Sequence, residues 1–158
     1  MREIIRPMQR TDIARVYEVE CSCFRSPWSK MAFVGELRND VAHYFVLEIN
    51  GIVEGYAGMW VLFDEAHITN IAVMKAWRGR GCATRLLYKM MEVALLLGAK
   101  LMTLEVRKSN LAAQRLYSLL GFFQNGCRPR YYADSNEDAL ILWNTDMQKT
   151  LDNRRKRL

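Results

Sequence analysis

The sequence is most restrictive through what it leaves out. Its four cysteines, Cys21, Cys23, Cys82 and Cys127, form no C-x-x-C pair, and no histidine stands near them at ligand spacing. The only histidines, His43 and His67, are isolated from each other. This argues against a zinc framework and leaves reduced, buried thiols as the expectation. No apolar run is long enough to span a bilayer; the longest in the main helical stretch is Val93 to Leu97. The opening MREIIRPM lacks the apolar core of a secretory signal. A cytoplasmic protein with no membrane role is therefore expected. The aromatic-rich motifs of RNA-binding modules are absent, which argues against direct nucleic-acid binding. So are linkers, repeats and low-complexity segments.

What remains is a chain of 158 residues, 51% hydrophobic and 25% charged, as expected of one globular domain with a real core. The formal charge is +6, and part of it is concentrated in Asn153-Arg154-Arg155-Lys156-Arg157-Leu158. The expectation is one domain over residues 1–148 and a basic, frayed tail over 149–158. The alternative for the tail is steering toward an anionic partner such as coenzyme A or a ribonucleoprotein.

The chain is organised around residues 68–98. An apolar strand, Ile68 to Met74, runs into a short basic loop, and Gly81 opens a long helix closed by Gly98. A strand, a glycine loop and a helix N-terminus make a phosphate-binding layout, because the first helical turn leaves its amides without partners. The loop reads Arg78-Gly79-Arg80-Gly81-Cys82-Ala83. It is neither a P-loop nor the dinucleotide fingerprint. Gly79 and Gly81 allow an anion to approach the backbone, and Arg78 and Arg80 add charge and forked donors.

Around this unit the chain predicts a short strand at Glu3–Arg6 and a helix capped by Thr11 and running to about Cys23. Pro27 then breaks the helix, and Ser29 caps a second one through Arg38. Asn50-Gly51 is a type I′ hairpin signal between strands at Ala42–Ile49 and Ile52–Phe63. A buried strand at Leu101–Val106 precedes a helix started by Asn110 and closed by Gly121. Phe122 begins a strand region interrupted by Gly126 and Pro129, and Ala139–Trp143 belongs to the last strand. The order is βααβββαβαββ: an α/β fold whose mixed sheet is mostly antiparallel, with a parallel step around the main helix.

Several segments resemble one family in the right order. Arg78–Ala83 fits the R-x-x-G-x-G/A signature of the GNAT acetyltransferases, with Ala83 in the last glycine position. Asn110-Leu111-Ala112-Ala113 and Leu116-Tyr117 through Gly121-Phe122 fit that family's N-x-x-A…LY-x-x-x-GF. Phe24–Ser29 is similar to the F-P-W-S element of the RimI-type ribosomal-protein alanine N-acetyltransferases, with Ser26 inserted. Arg130-Tyr131-Tyr132 and Glu137-Asp138-Ala139 resemble that group's ending. The resemblance covers about Ile4 to Asp146. It implies a GNAT-like sheet with helices on both faces, and acetyl-coenzyme A as co-substrate without a metal. It further implies that the Ile71, Ala72 and Val73 backbone pairs with the pantetheine arm and that Gly79 to Thr84 hold the diphosphate. Asn110 would touch the cofactor, Glu105 would be general base and Tyr117 general acid. The implied partner is a ribosomal protein N-terminus; separately, a monomer is expected.

Residue chemistry agrees in part. A protein α-amine titrates near 8, so about a tenth is neutral at pH 7, and a carboxylate such as Glu105 is then an adequate base. Read alone, Glu105 could instead face solvent or pair with Arg107, and Tyr117 could be a core aromatic. Backbone amides near Val73, at a bulge, would meet the developing oxyanion. Trp28 is either a core plug or an aromatic wall of a cleft. Tyr131 and Tyr132, adjacent on a strand, would point to opposite faces, so one of them meets the acceptor peptide. Two other functions stay open: acetylation of a lysine side chain or small polyamine, drawn by Asp64, Glu65, Asp134, Glu137 and Asp138, and a non-catalytic ribosome- or RNA-binding module.

Overall fold

The computed structural model describes residues 1–156. Seven strands hydrogen-bond in the order β1-β2-β3-β4-β5-β7-β6. They are β1 Glu3–Pro7, β2 Ala42–Ile49, β3 Ile52–Leu62, β4 Glu65–Val73, β5 Leu101–Arg107, β6 Phe123–Tyr132 and β7 Glu137–Asn144. The helices are α1 Ile13–Cys23, α2 Lys30–Leu37, α3 Cys82–Leu96, α4 Leu111–Leu119 and α5 Met147–Lys156. This is the expected order with one helix added. The chain divides into two units: Met1–Val61 with Thr69–Met90, and Leu62–Ile68 with the chain from Met91 onward.

In the first unit β1, β2 and β3 pair antiparallel in sequence. Asn50 and Gly51 both have positive φ, 51° and 83°, as a type I′ turn requires. Helix α1 presents Ile13, Val16 and Val19 at helical spacing to a core that includes Phe33, Val46 and Tyr56. Thr11 does not cap it. Residues 10–12 form a 3-10 turn instead, in which Asp12 accepts the Gln9 amide and a two-pronged bond from Arg6. Ser29 caps α2 as expected, accepting the Ala32 amide at 3.1 Å. The two glycines inside β3 have packing reasons. A Cβ at Gly58 would fall inside the Tyr44 ring, and one at Gly55 would lie 3.1 Å from the Ala72 carbonyl oxygen.

In the second unit β4 starts at Glu65, three residues earlier than expected, and Glu65–His67 pair parallel with Leu101–Thr103. Strands β5–β7 and β7–β6 are antiparallel. β6 runs through Gly126 and Pro129, with register shifts between Gln124 and Cys127 and between Arg128 and Tyr132. Asn110 caps α4, and Gly121 follows it at φ 89°.

The basic run is not frayed where it is described. Residues through Lys156 belong to α5, so a division at 148/149 falls inside a helix. Asp146 accepts the Lys149 amide, Met147 and Thr150 are buried, and Arg154 pairs with Glu92 at 2.8 Å. Asn144 and Thr150 both donate to the Leu120 carbonyl and so tie α5 to the end of α4. Arg157 and Leu158 lie outside the described residues. Among the described residues no helix is long and apolar enough to cross a membrane.

Candidate active site

The first unit carries the phosphate-binding layout. The 70–73 end of β4 alternates buried Asn70, half-buried Ile71 and buried Ala72 and Val73. The Val73 carbonyl is met by side chains: Arg78 Nε donates to it at 3.0 Å and the Cys23 thiol reaches it at 3.5 Å. In the β2–β3 pair the register shifts between Leu47 and Glu48. Arg78 is therefore folded back onto the strand end, while the Arg80 guanidinium sits 5.0 Å over the Trp77 ring. Gly79 and Gly81 have φ 72° and 76°, left-handed conformations that side chains resist. A Cβ at Gly79 would meet nothing within 4 Å. The first helical bond of α3 runs from the Arg85 amide to the Gly81 carbonyl, so the amides of Cys82, Ala83 and Thr84 lie ahead of it. An open glycine, an unspent helical turn and nearby guanidinium groups suit a diphosphate. Cys82 is buried, and burial pushes its thiol up. Contrary to the expectation of buried thiols, it is the only buried cysteine of the four, and Cys21 and Cys127 are exposed.

Trp28 is half-buried, packed on the core with its ring 5.7 Å from Phe33. Its amide donates to Glu20 Oε1 at 3.4 Å. Glu20 is 2% exposed and also accepts a hydrogen bond from the Tyr56 hydroxyl. Burial raises its pKa above the ordinary carboxylate value, opposed by those two donors. Nearby, the Tyr44 hydroxyl bonds Thr69 at 2.7 Å and Asn70 at 3.1 Å.

The second unit carries the expected acid and base. Glu105 on β5 does not pair with Arg107. Its Oε2 lies 2.6 Å from His67 Nε2 and its Oε1 lies 3.4 Å from Arg128 Nε. Arg107 instead pairs with Asp134 and Glu137 and stacks at 4.0 Å over the Tyr132 ring. Sheet register makes the His67 contact. His67 stands opposite Thr103, and Thr103 and Glu105 share a face of β5. Burial pushes the Glu105 carboxyl up, but the His67 hydrogen bond and the charges of His67 and Arg128 outweigh it, so its pKa is lowered. Tyr117 is buried, edge-on to Phe122 at 5.5 Å. Burial, then the charge of Tyr132, holds its phenol well above the ordinary value. No hydrogen bond to its hydroxyl is formed among the described residues.

Tyr131 and Tyr132 do not alternate. Arg130 has φ 50° beside the register shift, and the two rings touch at 5.2 Å. Burial pushes Tyr132 up to about 12, against the charge of Arg107. Asn110 spends its side-chain oxygen on the α4 cap.

Sequence reasoning missed His67, Arg128, Glu20 and Arg85. His67 and Glu105 are 38 residues apart, and only the parallel register of β4 and β5 joins them. Among the described residues there is no group of three or more His, Cys, Asp or Glu side chains placed to hold a metal ion.

Residues 13–122 match the acetyltransferase (GNAT) family. A Bacillus subtilis protein provisionally named a [ribosomal protein bS18]-alanine N-acetyltransferase is 44% identical over 142 residues, 89% of this chain and 94% of the relative. The Escherichia coli K12 [ribosomal protein bS18]-alanine N-acetyltransferase is 34% identical over 142 residues, 87% and 94% of the two chains. The crystal structure of the E. coli ribosomal-protein-S18-alanine N-acetyltransferase superposes with a TM-score of 0.84 at 32% identity, covering 92% of this chain and 96% of that one.

Proposed function

The chain belongs to the GNAT acetyltransferase family, and from that membership we propose that it transfers an acetyl group to the N-terminal α-amine of a protein, foremost an N-terminal Ala of a small-subunit ribosomal protein. The observation that carries this reading is the near-full-length likeness, in sequence and in fold, to an enzyme named for alanine N-acetylation of that class of protein. Acetyl-coenzyme A, when bound, supplies the thioester. The Ile71–Val73 backbone holds its pantetheine arm, the Gly79–Thr84 amides hold its diphosphate, and Asn110 touches it.

Glu105 is the general base. His67 engages Oε2, which leaves Oε1, with only the longer Arg128 contact, to take the amine proton. A carboxylate with a lowered pKa is ionised at neutral pH but weakly basic. That suffices for an α-amine near 8, part of which is already neutral, and suits a lysine near 10.4 poorly. Tyr117 is the general acid. Its phenol is protonated at any working pH, and its hydroxyl has no protein partner to give up among the described residues. Trp28, Tyr131 and Tyr132 meet the acceptor peptide.

The acidic residues that would draw a polyamine are largely committed. Asp134 and Glu137 pair with Arg107, Glu137 also accepts the Ser109 amide, and Asp138 accepts the Arg130 amide at 2.9 Å. This supports the α-amine over a polycation. We take the protein to be a cytoplasmic monomer.

A competition assay tests it, with an Ala-start peptide, the same peptide N-terminally blocked and carrying one lysine, and spermidine. Mass spectrometry should find one acetyl group on the α-amine of the first. If the blocked peptide or spermidine has the higher kcat/KM, the α-amine reading fails while acetyl transfer stands.

A further inference from the structure

Arg85 projects from the second turn of α3 back over the loop that precedes the helix. Its Nη1 donates to the Arg80 carbonyl at 3.0 Å. Its Nε and Nη2 form a two-pronged bridge to the Glu3 carboxylate on β1 at 2.5 and 2.8 Å, and Nη2 also lies 3.4 Å from Cys82 Sγ. All of these residues belong to the first unit. With its fork spent on Glu3 and the loop carbonyl, and its charge balanced by the carboxylate, this arginine is not arranged to bind an anion itself.

We propose that Glu3 and Arg85 are positioning residues that set the direction of the Gly81 amide, and thereby the affinity of the loop for the diphosphate of the coenzyme. The proposal rests on the reading that Gly79–Thr84 hold that diphosphate. Its physical basis is the planar trans peptide, whose C=O and N–H point opposite ways. Anchoring the Arg80 oxygen on one side aims the Gly81 N–H to the other. Without the anchor the 80–81 peptide plane is free to flip, because glycine occupies positive and negative φ about equally well. The observed φ of 76° at Gly81 is the conformer that the guanidinium holds, and a Cβ there would lie 2.9 Å from Arg85 Nη1. Glu3 keeps Arg85 in that rotamer from 82 residues away.

The test is calorimetric affinity for coenzyme A, with KM for acetyl-coenzyme A and kcat on an acceptor that the wild type acetylates. Arg85→Ala should raise Kd and KM about tenfold, the scale of a lost charge-assisted bond, with kcat at saturation held within about twofold. Glu3→Gln should give about threefold, because it loosens the anchor without removing it. Arg85→Lys should recover only part of the loss, lacking the fork. The double variant Glu3→Arg with Arg85→Glu restores an ion pair but leaves no donor for the Arg80 carbonyl, so its affinity should stay low. Full recovery in that double variant, or unchanged affinity in Arg85→Ala, would overturn the proposal. Gly81→Val separates the two levels. If it too leaves affinity unchanged in a folded protein, the placement of the diphosphate is wrong. If it weakens binding while Arg85→Ala does not, only the brace is wrong.

Discussion

Two glutamates, one in each unit, carry opposite pKa shifts. Glu20, in the first unit, is nearly sealed from solvent and faces neutral donors, the Tyr56 hydroxyl and the Trp28 amide. Burial dominates and its pKa rises. Glu105, in the second unit, is also partly buried, but an imidazole and a guanidinium flank it, and its pKa falls. Burial alone therefore does not set the ionisation of a carboxylate. The kind of partner decides whether the group stays ionised, and whether it keeps an oxygen free for a substrate proton. Glu20 has both oxygens engaged and organises the turn that presents Trp28; Glu105 has one oxygen tightly held and one loosely.

The largest expected effect tests this contrast directly. Glu105→Gln should lower kcat by about 10²–10⁴-fold with coenzyme affinity kept, as loss of a general base does. Glu20→Gln should cost less than about tenfold in the same steady-state assay. Equal losses would break the distinction. Next, Tyr117→Phe should lower kcat by about 10²-fold with its thermal unfolding midpoint unchanged, since its hydroxyl supports no protein hydrogen bond among the described residues.

In the first unit the stakes are stability. Tyr56→Phe leaves a buried carboxyl short of a donor and should cost about 1–3 kcal/mol in denaturant unfolding. The pH dependence should run in opposite directions for the two groups. The raised pKa of Glu20 contributes stability that is complete below the ordinary glutamate value, about 4.3, and is lost as pH rises through its folded value. The lowered pKa of Glu105 contributes stability present above the ordinary value and lost as pH falls through its folded one. Unfolding curves of Glu20→Gln and Glu105→Gln against wild type, from mildly acidic to neutral pH, would show the opposite slopes. The smallest effect is at Arg128, whose side chain is 55% exposed. Arg128→Ala should move the Glu105 titration, followed by carboxyl NMR, upward by less than about one unit, because solvent screens that pair.

Much of this molecule was legible before any tertiary contact was known. The Asn50-Gly51 turn, the Ser29 and Asn110 caps and the Gly121 terminus are local. Each depends on residues at most a few positions apart, so side-chain chemistry and φ preference determine them. The glycine loop and the motifs after it are local in the same sense. Helix α5 escaped because its apolar content is low and its support comes from Asn144, Thr150 and the Leu120 carbonyl. The Tyr131–Tyr132 alternation failed because positive φ at Arg130 and a register shift break the regular strand it assumed.

What the sequence by itself determined is the order of elements, the turns and the glycine loop that opens α3, all properties of short stretches. What only the tertiary structure decided is which charged groups meet. His67 reaches Glu105 because β4 and β5 pair in one parallel register, and Arg85 reaches Glu3 across 82 residues because β1 brings that carboxylate to it. Electrostatic partnership depends on distance in space, and a one-residue slip of register turns a side chain to the other face of the sheet.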